Sequence, residues 1–583
     1  MVIHKIMRRL SVIFCTFAVL VCAVMAGCSS GNKDLTIRIV STSDIHGRIF
    51  DKDCLTGEER EGSMAKFSTF LKRQRKEYSN VLYLDAGDML QGSVEVYQDV
   101  TAQFRRTSLP AEAFNYLECF ATVLGNHDFA VGVPSYDRFF RAINCPVLGA
   151  NVYFETPDDY LPPYRMREIK GVRIAVLGMS TPLSNLQQTI DRRELDVSAI
   201  IDEAKYWMPI LKEKEEADIV IGLFHSGYDG GRNEDGVTEN VVRKILSEVP
   251  GFNAILYGHD HRSRCLKTVD CNGDSVVLLN TGPFMTKAGV TTITVSGAGT
   301  ENPVISADGE LVDITAEIPD KRFIKKLSGW YDDVKAYSDS VLAVLAAPLD
   351  ANSILWGESS LMDLLHSVQM NFNGAEVSLA SPMFTKSAFP AGAIHCKDMF
   401  DVYSSDYYMV SVMLKGSEIK TVLENTASQY YNIVTDGSGG LLKTRKSGDI
   451  TLPRRSVSSL FTAAGIRYEI DVTKPEGSRV NIISMSDGRP FDPDRMYRTT
   501  INSNQYTGTT FPRMIGLTNR EIRGRLNGGS PADTRFYLIT TLSLSHEAGN
   551  DYTAPKMTDW KLVPQDIVSA CLAKDTIGFN IMQ

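Results

Sequence analysis

Six short β-rich apolar runs, at 35–40, 81–84, 120–124, 172–177, 218–224 and 254–257, each break off abruptly in polar residues, often with a helical pattern following. Apolar runs of strand length between helical stretches predict strands covered on both faces, the arrangement of α/β and α+β enzymes. Five of these breaks carry metal-type donors: Asp44-Ile45-His46-Gly47, Asp85-Ala86-Gly87-Asp88, Gly125-Asn126-His127-Asp128, His225-Ser226-Gly227 and Gly258-His259-Asp260-His261. In open α/β sheets ligands bind outside the carboxyl ends of the strands, so these five breaks predict one shared site. The glycines fit tight turns that let backbone approach that site closely.

The histidines concentrate there too. The chain holds nine; His4 lies in the N-terminal leader pattern, and five of the other eight fall in these breaks. At 583 residues the chain is too long for one ordinary core, so two large domains are expected. Its formal net charge of −9 gives no sign of nucleic-acid binding. An acidic protein that binds an anionic ligand needs a local positive centre, which metal ions at such a site would supply.

The motifs D-x-H, G-D, G-N-H-D, H and G-H-x-H resemble those of calcineurin-like metallophosphoesterases, and the whole chain resembles the secreted 5'-nucleotidase and 2',3'-cyclic-nucleotide phosphodiesterase family. Glu58 to Ser63 and Leu90-Gln91-Gly92-Ser93 are similar to that family as well. The resemblance implies an α/β (α+β) two-domain fold: a four-layer α/β/β/α metallophosphatase sandwich, a linking helix, and a C-terminal 5'-nucleotidase-type α/β domain. It implies two divalent metal ions, for which a mixed His, Asp and Asn shell suits Zn, Mn, Fe, Co or Mg without selecting one. One ion would be held by Asp44, His46, Asp88 and His261, the other by Asp88, Asn126, His225 and His259, with Asp88 shared. A metal-bridging hydroxide would then attack phosphorus in line with the leaving oxygen. His127 would stand beside the leaving group and protonate it, with Asp128 orienting its ring. Asp85 and Asp260 read either as supports of these ligands or as plain turn residues. Outside the leader pattern, where Gly27-Cys28-Ser29-Ser30-Gly31 matches by spacing alone, no GxSxG nucleophile motif occurs, and there is no GxxxxGK[ST] phosphate loop.

In the second half, a helix at 359–371 and strands at 376–380, 409–414, 467–472 and 497–501 are expected. The family's C-terminal domain holds the nucleotide base between aromatic rings. Here the frame from Tyr468 to Tyr497 is similar, but the binding motifs differ: Ala380-Ser381-Pro382-Met383-Phe384 and Ser404-Ser405-Asp406-Tyr407-Tyr408 replace the usual stretches. Tyr403, Tyr407, Tyr408, Tyr506 and Phe511 are the candidates for substrate stacking. The expected substrate is a small phosphate ester, most naturally a nucleotide. The alternatives are a non-nucleotide ester, or a surface binding lipoprotein whose metal centre is structural.

The expected organisation is a signal peptide at 1–27, an anchor tail at 28–34, the phosphoesterase domain at 35–317, a linking helix at 318–352 and the substrate domain at 353–583. Lys5, Arg8 and Arg9, an apolar run and Met25-Ala26-Gly27-Cys28 resemble a bacterial lipobox, which implies export and lipid anchoring to a membrane through Cys28. The linking helix is read from Phe323, Leu327, Trp330, Val334 and Tyr337 at helical spacing, stopped by Ala346-Ala347-Pro348-Leu349. Seven cysteines follow Cys28, and Cys265 and Cys271 are close enough to bridge a hairpin.

Overall fold

The computed structural model describes residues 34–575 except 103–106, 155–160, 184–194, 235–236, 299–302, 352 and 448–449. The expected signal peptide and nearly all of the anchor tail lie outside the described residues. Among the described residues no helix is long and apolar enough to cross a membrane.

The first domain is built on two six-stranded sheets. In one, Leu35–Thr42, Val81–Asp85, Ala121–Val123 and Val147–Leu148 run parallel, and Lys287–Ser296 and Val304–Asp313 close one side antiparallel. In the other, Val172–Ser180, Ile219–His225, Ala254–Tyr257 and Ser275–Asn280 run parallel between antiparallel edges, Tyr164–Ile169 and Arg264–Val269. Ile37, Ile39, Leu84, Val176 and Ile221 belong to the core between the sheets. The opposite faces are covered by helices: Met64–Glu77 and Leu109–Tyr116 on one sheet, Ile200–Pro209 and Val242–Glu248 on the other. These are the four layers expected, and they arise because the parallel strands are mostly buried on both faces.

The strand ends are level. Thr42 pairs with Asp85, Asp85 with Thr122, Tyr257 with Phe224, and Ser180 with His225. Loops that leave level parallel strands open on the same edge, which gathers the five breaks.

The helix Lys321–Ser338 starts at Asp320, whose side chain caps it by accepting from Arg322 N. Phe323, Leu327, Trp330 and Val334 are buried in the core of the first domain. The helix ends earlier than expected, because Val341–Leu345 forms a strand paired with Gly392–His395. Asp339 and Ser340 lie between this helix and that strand. Cys265 and Cys271 are not joined. Their hairpin is closed by the Asp270 carboxylate, which accepts from Asn272 N at 2.9 Å and Asp274 N at 3.0 Å.

The second domain carries a five-stranded mixed sheet whose central strands are Val377–Ala380, Met496–Asn502 and Tyr408–Lys415, and a three-stranded sheet centred on Ile466–Asp471. Ser359 caps the helix Ser360–Asn371. The two domains meet at a polar cluster. Tyr97 of the first domain donates to Asp533 at 3.2 Å, and its ring lies 4.5 Å from the Arg535 guanidinium, which pairs with Asp406 at 2.7 Å.

Burial, against the pull of Arg535 and with help from Asp406, pushes the Asp533 carboxyl up to about 6. A carboxyl raised above its unfolded value stabilises most below that value and loses the contribution as pH climbs through the folded one. Raising pH from about 4 to about 7 should therefore cost the metal-free protein about 2 kcal/mol through this group. Denaturant titrations across that range are expected to show a correspondingly smaller loss in Asp533→Asn.

Candidate metal centre

All seven expected metal-type donors sit on the common edge of the two sheets. Asp44 and His46 follow Leu35–Thr42, Asp88 follows Val81–Asp85, and Asn126 opens the helix Asn126–Ala130 after Ala121–Val123. His225 is the last residue of its own strand, and His259 and His261 follow Ala254–Tyr257. One ligand atom each from Asp44, His46, Asp88 and His261 lie within 4.8 Å of one another, and so do those of Asp88, His225 and His259. Asp88 belongs to both groups. Asn126 joins the second: its Oδ1 lies 3.2 Å from His225 Nε2.

The backbone is bent to achieve this. Asp44, His46, Asp88, His259 and His261 all adopt positive φ, between 48° and 77°, a region that side chains other than glycine rarely enter. Glycines bring the loops into contact: a Cβ on Gly125 would lie 2.0 Å from Asp88 Oδ1, and one on Gly258 would lie 2.7 Å from Asp44 Oδ2.

The hydrogen bonds behind the donors fix which ring atom faces inward. His46 Nδ1 meets Gln91 O at 3.0 Å and His225 Nδ1 meets Ala86 O at 2.7 Å, so in each ring the proton sits on Nδ1 and Nε2 presents its lone pair to the site. His46 Nε2 then faces His261 Nε2 at 3.0 Å, and His225 Nε2 faces Asp88 Oδ2 at 3.2 Å. Acceptors crowded against acceptors, with carboxylates among them, are the donor set that divalent cations satisfy, so the residues fit the implied pair of ions. The same tension shows in the titrating groups. Without an ion the crowding is relieved by a proton on His225 Nε2: burial opposes charge on this ring, but Asp88 outweighs it and lifts the imidazole to about 10, while Asp88 is held well below the carboxylate range, despite burial, chiefly by His225 and His127.

Asp128 is placed differently from the sequence expectation. Its carboxylate accepts from four backbone amides: Asp88 N and Met89 N at 2.8 Å, Leu90 N at 2.6 Å and Gly125 N at 2.7 Å. It pins the Asp88 loop, and the His127 ring is held by Gln91. Asp85 is likewise a support. It accepts from Thr42 Oγ1 at 2.6 Å and Thr122 Oγ1 at 3.0 Å, tying three strand ends together, and burial pushes its carboxyl up to about 7. Asp260 fixes its loop by accepting from Tyr228 N at 3.0 Å and Asn280 Nδ2 at 2.8 Å.

Sequence reading missed Glu239, Gln91 and Phe284. Glu239 Oε1 meets His259 Nε2 at 2.7 Å, which leaves His259 Nδ1 to face the site, while its Oε2 accepts from Arg232 N at 2.7 Å. Burial works to raise the Glu239 carboxyl, but the bonds from His259 and the Arg232 amide hold it below its usual value. Glu239→Ala is expected to weaken divalent-metal affinity by roughly 10–100-fold, measurable by calorimetric titration of the metal-free protein. Phe284, itself at positive φ, lies 5.7 Å from the His46 ring and 6.1 Å from that of His261. The signal for these three residues was weak: none stands beside a ligand in a motif of its own, and only Gln91 lies in a stretch that resembled the family.

The five aromatic candidates of the second domain divide. Tyr403, Tyr506 and Phe511 are 1%, 7% and 3% exposed and belong to its hydrophobic core, so they offer no face for stacking. Phe511 packs on Phe461 instead, with ring centroids 5.7 Å apart. Tyr407 and Tyr408 are half-buried. Among the described residues, Arg232 of the first domain donates to Thr507 O at 2.7 Å and Tyr97 contacts Asp533.

A two-sheet sandwich with a carboxylate shared between two clusters of His and Asp at its strand ends defines the class of dinuclear metallophosphoesterases. Residues 37–263 match the family "Calcineurin-like phosphoesterase", and residues 341–514 match "5'-nucleotidase, C-terminal domain". The chain belongs to the calcineurin-like phosphoesterases that carry a 5'-nucleotidase C-terminal domain. It is 23% identical to the trifunctional nucleotide phosphoesterase of Bacillus subtilis over 94% of its own length, but it spans only 40% of that relative. It is 21% identical to the 2',3'-cyclic-nucleotide 2'-phosphodiesterase/3'-nucleotidase of Salmonella typhimurium, over 94% of this chain and 92% of the relative. Its fold is similar to that of the Haemophilus influenzae NAD nucleotidase, with a TM-score of 0.58 and 17% identity over 91% of this chain and 99% of the other.

Proposed function

We propose that this protein hydrolyses phosphate esters of nucleotides, as a 5'-nucleotidase, a 2',3'-cyclic-nucleotide phosphodiesterase or both. The observation that carries the reading is the shared position of Asp88 between two groups of inward-facing donors. Asp44, His46, Asp88 and His261 would hold one divalent ion, and Asp88, Asn126, His225 and His259 the other. Such a pair withdraws charge from phosphoryl oxygens and supplies hydroxide at neutral pH. His127 stands within reach of the same space, its ring 5.4 Å from that of His46, where it can give a proton to the departing oxygen. Asp128, Asp85 and Glu239 hold the surrounding loops rigid, so little reorganisation accompanies the reaction.

Nucleotides are favoured by the named activities of the Bacillus and Salmonella relatives. Tyr407 and Tyr408 remain the candidates for contact with a base. The burial of Tyr403, Tyr506 and Phe511 favours a second reading, an ester without a base, because most of the expected stacking faces are lost to the core. The N-terminal pattern supports export and attachment to the cell envelope through lipid on Cys28. The domain limits proposed are 35–338 for the phosphoesterase unit with its closing helix, and 341 onward for the substrate unit.

Phosphate release from AMP, 3'-AMP, 2',3'-cyclic AMP and sugar phosphates, each with Mn, Zn, Co and Mg, tests both readings. Turnover of the nucleotides supports the first and turnover of sugar phosphates alone the second. No turnover of any ester with any of these metals overturns both.

A further inference from the structure

We propose that Gln91 is the residue that positions His127 for proton transfer, in place of a carboxylate partner, and this rests on the phosphohydrolase reading above. The Gln91 side-chain oxygen is hydrogen-bonded to His127 Nδ1, and the Gln91 backbone carbonyl takes His46 Nδ1 at 3.0 Å. One residue thus orients a ring of the metal cluster and the ring beside it. The segment that carries Gln91 is locked on both sides. Asp128 accepts from Leu90 N at 2.6 Å just before it, and Ser93 donates to Gly47 O at 2.9 Å just after it. Gly92, at φ 121°, lies so close to His46 that a Cβ there would meet the His46 Cβ at 2.7 Å. The carboxylate that neighbours His127 in sequence is fully occupied by backbone amides.

An amide oxygen only accepts, so the contact places the proton on Nδ1 and turns Nε2 toward the site. A second advantage is electrostatic. Asp44, Asp85, Asp88 and Asp128 already bring four buried carboxyl groups to this edge, and an amide orients the ring without adding a fifth charge. As the ester bond breaks, its electron pair leaves with the alkoxide oxygen, which takes the proton from His127 Nε2. A water-derived hydroxide oxygen forms the new bond to phosphorus. The products are the alcohol and inorganic phosphate, and His127 is left neutral with its remaining proton on Nδ1, donated to Gln91.

A positioning role of this kind matters only when the leaving oxygen needs the proton. The test compares AMP, a poor leaving group, with p-nitrophenyl phosphate, a good one, in metal-loaded protein. In Gln91→Leu, kcat for AMP is expected to fall about 10²-fold while kcat for p-nitrophenyl phosphate stays within about threefold and both KM values and metal content hold. Gln91→Glu keeps the acceptor and is expected to retain the AMP rate within about tenfold. In a His127→Ala background, Gln91→Leu should cost nothing further, because the two residues act as one unit. Equal losses on both substrates, an unchanged AMP rate, or additive losses in the double variant overturn the proposal. Failure of the unmutated protein on both substrates overturns instead the phosphohydrolase reading on which it stands.

Discussion

Asp88→Ala is expected to abolish phosphate-ester turnover, lowering kcat/KM by about 10³-fold or more while leaving the sheets intact. Asp88 is common to both donor groups, so its loss strips a ligand from each at once. The clamp on the phosphoryl oxygens is worth several kcal/mol, and each 1.36 kcal/mol is a factor of about ten in rate. The substitution also removes two internal bonds: Asp88 Oδ1 accepts from His127 N at 2.9 Å, and Oδ2 faces His225 Nε2 at 3.2 Å. His127 should therefore lose its placement together with the metals. The checks are steady-state kinetics on AMP and the metal content of the purified variant. A variant that kept two equivalents of metal and its full rate would contradict the shared-ligand arrangement.

His127→Ala is expected to have the second largest effect, and of a different kind. His127 lies outside both groups of close-set donors, so the ions should remain while the proton donor is lost. General acid catalysis contributes about 10²–10⁴-fold, and that loss should appear in kcat for nucleotides with unchanged metal content. The loss should shrink for esters with good leaving groups. A fall of equal size on every substrate would move His127 from proton transfer to holding the site together.

Most of the site was legible in the sequence because the seven ligands stand at the ends of five strands. Level parallel strands then gather residues separated by more than 200 positions, such as Asp44 and His259, whose backbone amide donates to the Asp44 carboxylate at 3.0 Å. The role of Asp128 was misjudged for a geometric reason. Asn126–Ala130 is helical, and consecutive helical side chains point in different directions, so neighbours in sequence do not face each other. Asp128 instead reaches back over the helix start to Gly125 N and the Asp88 loop. Glu239 was invisible because it lies on a hairpin strand, Val237–Asn240, whose approach to His259 depends on how the whole hairpin folds over the sheet edge.

In the second domain the strands were legible from their apolar alternation, but an aromatic residue looks the same in sequence whether it lines a core or a cleft. Tyr403 ends a short helical turn and points into the core beside the Arg535 cluster, and Phe511 is taken up by Phe461. The linking helix was recognised from its apolar spacing, but its end was placed too late. Val341–Leu345 is apolar enough to continue the pattern, and its pairing with Gly392–His395 depends on residues some fifty positions away.

Seven side chains at the ends of five strands are expected to hold a pair of cations through a single shared carboxylate. Metal analysis of the purified chain after loading with Mn or Zn and removal of free ion tests it most directly. The arrangement predicts two equivalents per chain in the unmutated protein and fewer than one tightly held in Asp88→Ala. A chain that stays metal-free under loading, or that binds two equivalents with and without Asp88, would contradict it.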